Sequence, residues 1–91
     1  MLMSDDVSMN ALAGSIAERT RAIVNAGCDM VLHCNGKLDE MRDVAHETPK
    51  LAGEALDRAK RALASRRQPE SFDRRAARAE LEALMDRLGT A

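Results

Sequence analysis

Two adjacent carboxylates near the start of the chain, Asp5 and Asp6, are the residues whose type and placement most readily do chemistry. They follow the apolar Met1-Leu2-Met3 and are flanked by Ser4 and Ser8. If Met1-Leu2-Met3 ends a strand, both acids stand at its C-terminal edge, where α/β barrels carry their active-site loops. The plainer alternative is an exposed N-terminal tail, or a cap on the turn around Met9–Leu12. Asp is an ordinary residue between a strand and a helix.

The other reactive side chains fit no compact pattern. Cys28, His33, Cys34 and His46 contain neither Cys-x-x-Cys nor His-x-x-x-His, so no metal is expected. Period-2 alternation puts Cys28, Met30, Leu32 and Cys34 on one strand face and Asp29, Val31 and His33 on the other. The cysteines then read as small buried hydrophobes. Six residues of strand hold them ~20 Å apart, too far for a disulfide, and a reducing cytoplasm is the expected location. Arg58, Lys60, Arg61, Arg66, Arg67, Arg74, Arg75 and Arg78 make 58–78 basic against Glu70 and Asp73. Phe72 is the one aromatic there and the whole chain has a net charge of −1, so a solvated face is expected rather than a nucleic-acid surface. Ser4, Ser8, Ser15 and Ser65 lack a Gly-x-Ser-x-Gly setting, and no Gly-rich phosphate loop occurs, so no cofactor is expected.

The elements that must position these groups are legible in the pattern. Ser15-Ile16-Ala17-Glu18 is a capping box, Ile16, Ala17, Ile23 and Val24 share an apolar face, and Gly27 is a left-handed stop. This predicts a helix over about 15–26. Residues 28–34, with Met30-Val31-Leu32 at their centre and Asn35-Gly36 as a turn, suit a buried parallel strand. Leu38, Met41, Val44 and Ala45 mark the next helix, ended at Thr48-Pro49. Thr48 as cap and Pro49 in the first turn then start another helix over 49–66. Its stripe is Leu51, Ala52, Ala55, Leu56, Ala59, Ala62 and Leu63, with Glu54–Arg58 and Asp57–Arg61 pairs outside. A last helix over about 70–88 carries Ala77, Leu81, Leu84, Met85 and Leu88 and stops at Gly89.

The composition bounds what these elements can build. The chain has 91 residues, 45% hydrophobic and 32% charged, with a single aromatic residue. That is a globular composition, but a chain this short buries only ~60–65% of its unfolded surface, and its core lacks large rings. No apolar run approaches the ~20 residues of a membrane span. Met1–Asp6 lacks the basic start of a signal peptide. Strand end, helix, strand and helix in sequence imply a parallel sheet covered by helices, yet only one complete strand is present.

The string Leu2-Met3-Ser4-Asp5-Asp6-Val7-Ser8-Met9-Asn10-Ala11-Leu12-Ala13-Gly14-Ser15 resembles the nucleophile region of bacterial β-N-acetylhexosaminidases of glycoside hydrolase family 3. The pattern there is Ser/Thr-Asp-Asp-Leu-Ser-Met followed by a small-residue turn and a helix, with Val7 replacing the usual Leu. The likeness continues through Ala26-Gly27-Cys28-Asp29-Met30-Val31-Leu32-His33-Cys34-Asn35-Gly36 and Leu38-Asp39-Glu40-Met41. It is looser over the two C-terminal helices.

The resemblance implies an α/β fold: the helix-rich C-terminal fragment of a (β/α)₈ TIM barrel. The pieces would be the end of strand seven, helix seven, strand eight, helix eight and two further helices. Residues 1–48 would be the last βα units and 49–91 a helical hairpin on the barrel. It implies a cytoplasmic hydrolase that removes terminal N-acetylglucosamine from cell-wall fragments in peptidoglycan recycling, with Asp5 as nucleophile and Asp6 supporting the loop. The partners implied are that sugar and the rest of the barrel, with neither nucleic acid nor membrane. A barrel needs ~250 residues, and the Lys-His sugar-binding segment and the acid/base His of the family have no counterpart here. Neither His33 nor His46 occupies that position. The expectation is a fragment, or a reading frame begun at an internal Met, that turns over nothing by itself. The competing expectation is a small helical interaction module docking through residues 49–66. A buried parallel strand at 28–34 separates the two, because only the barrel piece requires one.

Overall fold

Six elements form in the order β1 (Met3–Asp6), α1 (Ile16–Asn25), β2 (Met30–Leu32), α2 (Leu38–Glu47), α3 (Gly53–Ala64) and α4 (Arg74–Arg87). The computed structural model describes residues 1–89. β1 and β2 pair in parallel, with α1 as the crossover between them, so the first half is a β-α-β unit of the α/β class. This parallel pair is the feature that a purely helical module would not need.

The pairing is short and irregular. Met3 lies opposite Met30 and Asp6 opposite Leu32, with a register shift between them. At that shift the Leu32 amide donates to the Ser4 hydroxyl (3.0 Å) instead of to a backbone carbonyl. The Val7 amide then donates to the Leu32 carbonyl at 2.8 Å and closes the ladder. The regular part of the second strand covers only three of the seven residues over 28–34. Its flanks are tied on the β1 side, the Asp29 amide donating to the Leu2 carbonyl (2.8 Å) and the Cys34 amide to the Asp6 carboxylate (3.1 Å), in place of a regular ladder.

α1 forms as the sequence predicts. The Glu18 amide donates to the Ser15 hydroxyl (3.1 Å) and the Ser15 amide to the Glu18 carboxylate (2.7 Å), which completes the capping box. Gly14 precedes it at φ +85°, a left-handed backbone that favours glycine, and a Cβ there would also press on the Glu18 carboxylate oxygen at 2.8 Å. Gly27 follows the helix with φ +100°. α2 ends at Thr48, whose hydroxyl donates to the Val44 carbonyl at 2.6 Å. Thr48 therefore closes α2 rather than opening the next helix. α3 begins at Gly53, because Gly53 at φ +56° turns the chain out of the extended path of 49–52. α4 begins at Arg74, capped by the Asp73 carboxylate, which accepts from the Arg75 (2.9 Å) and Ala76 (3.1 Å) amides.

Burial is concentrated in the first half. Val7 and Thr20 are fully buried, and Ala59 is nearly so. The radius of gyration is 19.3 Å, against ~12 Å for a compact chain of this length. The accessible surface is 7538 Å², against roughly 5,200 Å² for a compact protein of this mass. α1 packs on α2 and on β2, whereas α4 packs broadly on no other element. No helix among the described residues is long and apolar enough to cross a membrane.

Candidate active site

β1 delivers Asp5 and Asp6 to its C-terminal end, and the two carboxylates have different surroundings. Asp6 is tied down. Its Oδ1 accepts from the Ser8 amide (3.0 Å), the Ser8 hydroxyl (2.7 Å) and the Cys34 amide (3.1 Å), while Oδ2 accepts from the same hydroxyl at 2.8 Å. The contact to Cys34 continues the β1–β2 ladder past its last backbone rung, so Asp6 joins the two strand ends. The Ser8 amide and hydroxyl hold its carboxyl below the usual carboxylate range, with the Cys34 amide and His33 adding to the effect.

Asp5 is exposed at the same edge. Its hydrogen bond is local: Oδ1 accepts from the Asp6 amide at 2.7 Å. No donor among the described residues meets the other carboxylate oxygen, which leaves Asp5 as the acid able to meet a ligand.

The loop between β1 and α1 is held by a residue the sequence pattern did not single out. The Arg19 guanidinium donates to four backbone carbonyls: Val7 (3.1 Å), Met9 (3.1 Å), Leu12 (2.8 Å) and Gly14 (3.1 Å). A planar fork with five N–H donors is the side chain able to gather so many acceptors at once. The signal was present in the sequence. Arg19 has no acid three or four residues away on α1, so its charge needed another use.

On the β2 side, His33 Nε2 meets Glu40 Oε2 at 2.9 Å, and Asn35 Nδ2 donates to the same oxygen at 2.6 Å. His33 is thus 8% exposed and engaged with α2. Its contact and that of Asn35 lower the Glu40 pKa. Cys34 is exposed and Cys28 half-buried, both as free thiols. The covered face of this strand is the one bearing Asp29 and His33. The expected burial of both cysteines is corrected, because in a two-stranded sheet the Cys28/Cys34 face has little packed against it. Partial desolvation of the Cys34 thiol, with the Asp6 and Asp5 carboxylates near it, raises its pKa. His46 is far more exposed and lies by Glu47 at the end of α2. Among the described residues no group of three His, Cys, Asp or Glu side chains is arranged to hold a metal.

The opposite ends of the strands carry a second anchor. The Asp29 side chain is 3% exposed and accepts from Arg58 Nε (2.9 Å) and Nη2 (2.7 Å) in a two-pronged pair, and from the Leu2 amide at 2.9 Å. These contacts hold the Asp29 carboxyl down at about 2. Arg58 also lies 3.7 Å from Glu54, as its helical spacing predicts, whereas Asp57 and Arg61 make no ion pair among the described residues. One base of the 58–78 stretch is thereby used inside the fold, and Arg78 pairs with Glu82 at 2.9 Å on the surface.

The chain is similar to bacterial proteins named beta-hexosaminidase. It is 35% identical to that of Idiomarina loihiensis over 66 residues, which is 70% of this chain and 20% of the relative. It is 49% identical to that of Tolumonas auensis over 39 residues, 41% of this chain and 12% of the relative. With the Thiobacillus denitrificans protein the identity is 56% over 36 residues, 37% of this chain and 10% of the relative. The resemblance to bacterial beta-hexosaminidases is borne out over these stretches, which span only a tenth to a fifth of those relatives. The chain matches no protein-family model, and no solved structure matches it.

Proposed function

We propose that this chain is the nucleophile-bearing C-terminal part of a retaining β-N-acetylhexosaminidase of glycoside hydrolase family 3, a (β/α)₈ barrel enzyme. Its role is to release terminal N-acetylglucosamine from peptidoglycan fragments during cell-wall recycling in the cytoplasm. The reading is supported above all by the division of labour between the adjacent acids. Asp6 is consumed in joining Ser8 to Cys34, while Asp5 presents an exposed carboxylate at the C-terminal end of β1. The similarity to proteins named beta-hexosaminidase supplies the reaction class.

In this mechanism the ionised Asp5 carboxylate attacks the anomeric carbon and forms a glycosyl-enzyme ester. An acid/base group protonates the departing oxygen and then activates the water that releases the sugar. Arg19 holds the loop that follows Asp5, and Asp6 holds the strand end that carries it. In this reading neither histidine of the chain takes the acid/base role: the His33 side chain is 8% exposed and engaged with Glu40, and His46 lies beside Glu47 at the C-terminal end of α2. A nucleophile without its partner leaves the barrier almost intact. The purified chain is therefore expected to hydrolyse no chromogenic N-acetyl-β-glucosaminide, and clear turnover would overturn the inactive-fragment reading.

The decisive experiment is a chimera in which residues 1–91 replace the corresponding stretch of the Idiomarina loihiensis relative. A folded chimera is expected to hydrolyse that glycoside, and Asp5→Asn to lower kcat by ~10³-fold or more. An active chimera indifferent to Asp5→Asn removes Asp5 as nucleophile. A folded but inactive chimera removes the glycosidase reading.

A further inference from the structure

The regular ladder ends at Leu32, yet the residues on either side of Cys34 are held by α2. His33 Nε2 and Asn35 Nδ2 both reach one oxygen of Glu40, Oε2, at 2.9 and 2.6 Å. Asn35 Oδ1 accepts from the Lys37 amide at 3.0 Å, so both ends of that side-chain amide are fixed on the start of α2. Lys37 Nζ lies 3.8 Å from the other Glu40 oxygen. Glu40 is the third residue of α2, where a negative charge faces the positive end of the helix dipole. An ionised carboxylate only accepts, so the shared oxygen also puts the proton of a neutral His33 on Nε2.

Cys34 stands between the two residues that Glu40 gathers, and its amide turns to β1, where it donates to Asp6 Oδ1 at 3.1 Å. The amide of Asp6 in turn donates to Asp5 Oδ1 at 2.7 Å. A continuous series of contacts therefore runs from α2 through residues 33–35 and Asp6 to Asp5. Beyond Leu32 the tie between the strands is a side-chain contact, and such a contact holds only as well as both of its ends are held. Ser8 holds the Asp6 end through its amide and hydroxyl, and Glu40 holds the Cys34 end through His33 and Asn35.

We propose that Glu40 is a positioning residue for the Asp5 carboxylate: by gathering His33 and Asn35 it keeps the Cys34 amide on Asp6, and so fixes the strand end from which Asp5 attacks. That role rests on the glycosidase reading above, and in it Glu40 touches no reacting atom. A nucleophile misplaced by about 1 Å loses on the order of 10²-fold in rate, so a group that acts only through geometry still sets the rate. The loss falls on kcat rather than on KM, because Glu40 itself makes no contact with the sugar.

Two measurements test it. In the full chain, hydrogen exchange followed by NMR reads the Cys34 amide directly: Glu40→Ala is expected to speed its exchange by ~10-fold or more, with the amides of α1 unchanged. In the chimera with the Idiomarina loihiensis relative, Glu40→Ala is expected to lower kcat by ~10- to 100-fold with KM little changed. Glu47→Ala breaks the 2.8 Å pair with Arg21 on the same helix and should leave both readouts as they are. Should Glu40→Ala fail to fold by circular dichroism, Glu40→Asp takes its place, since it keeps the charge in the first turn and falls one methylene short of both donors. An unchanged Cys34 exchange overturns the proposal. So does a chimera that Asp5→Asn silences and Glu40→Ala leaves fully active, an outcome in which the glycosidase reading survives. A Glu47→Ala loss equal to that of Glu40→Ala also overturns it, since α2 would then act only through its stability. A folded wild-type chimera without activity removes the glycosidase reading and the role of Glu40 with it, even where the Cys34 exchange responds.

Discussion

The two ends of this molecule are held by opposite means. Around β1, α1 and β2, single side chains reach across the sequence: Arg19 to four carbonyls, Asp6 from one strand end to the other, Asp29 to Arg58 and Leu2. α4 is held by local contacts: the Asp73 cap, the Arg78–Glu82 pair and the helix ladder. The first region has geometry that no segment of it would keep alone, whereas the second is a helix with a charged and an apolar face. The contrast teaches that charge-assisted hydrogen bonds can organise a loop where little apolar area is available. It also places the candidate chemistry in the region with the long-range ties.

The largest effect expected is acid release of α3. The Asp29 carboxyl sits at about 2 in the folded chain, below its ordinary 3.8. The unfolded chain therefore binds the proton first as pH falls. The stabilisation is complete above pH ~4 and is lost as pH drops through about 2. Asp6, Glu18, Glu40 and Glu47 are depressed in the same direction and add to the slope. Melting temperature followed from pH 5 to 2 should fall steeply, and Asp29→Asn should flatten the part nearest pH 2. An unchanged slope would place the acid sensitivity elsewhere.

Arg19→Ala comes next. Four carbonyls lose their donor at once, so amides over 7–14 should exchange with solvent ~100-fold faster while those of α4 stay as they were. Arg19→Lys should recover only part of the protection, since an ammonium cannot fork to four acceptors. Equal acceleration in both regions would erase the contrast between them.

Val7→Ala removes two methyl groups from a fully buried site and should cost about 2 kcal/mol by urea unfolding. Ser15→Ala breaks the capping box for about 1 kcal/mol, read by the same titration. A Ser15→Ala loss larger than the Val7→Ala loss would mean that local helix capping, not the contact of β1 with α1, sets the stability of the first region.

Much of this organisation is readable in the chain. Ser15, Glu18, Gly27 and Gly89 mark helix ends by side-chain and backbone chemistry that acts within four residues, and the structure agrees there. Thr48 and Pro49 misled because one Thr can close a helix through its hydroxyl as well as open one, and the sequence does not say which carbonyl it meets. The cysteine face of β2 misled for another reason. Alternation shows which residues share a face, but burial depends on how many neighbours the sheet supplies.

By itself, the sequence determined that four helices form, the Ser15–Glu18 cap, the stops at Gly27 and Gly89, the pair of acids at Asp5 and Asp6, and the apolar spacing along α4. All of these depend on interactions within a few residues or on periodicity. Only the tertiary structure decided that Arg19 gathers the β1–α1 loop, that Arg58 prefers Asp29 over its helical neighbour Glu54, and that Asp6 rather than Asp5 is tied down. Each of those choices involves at least one contact between groups 10 to 29 residues apart, where the winning partner is the one the fold brings within hydrogen-bond reach with the right geometry.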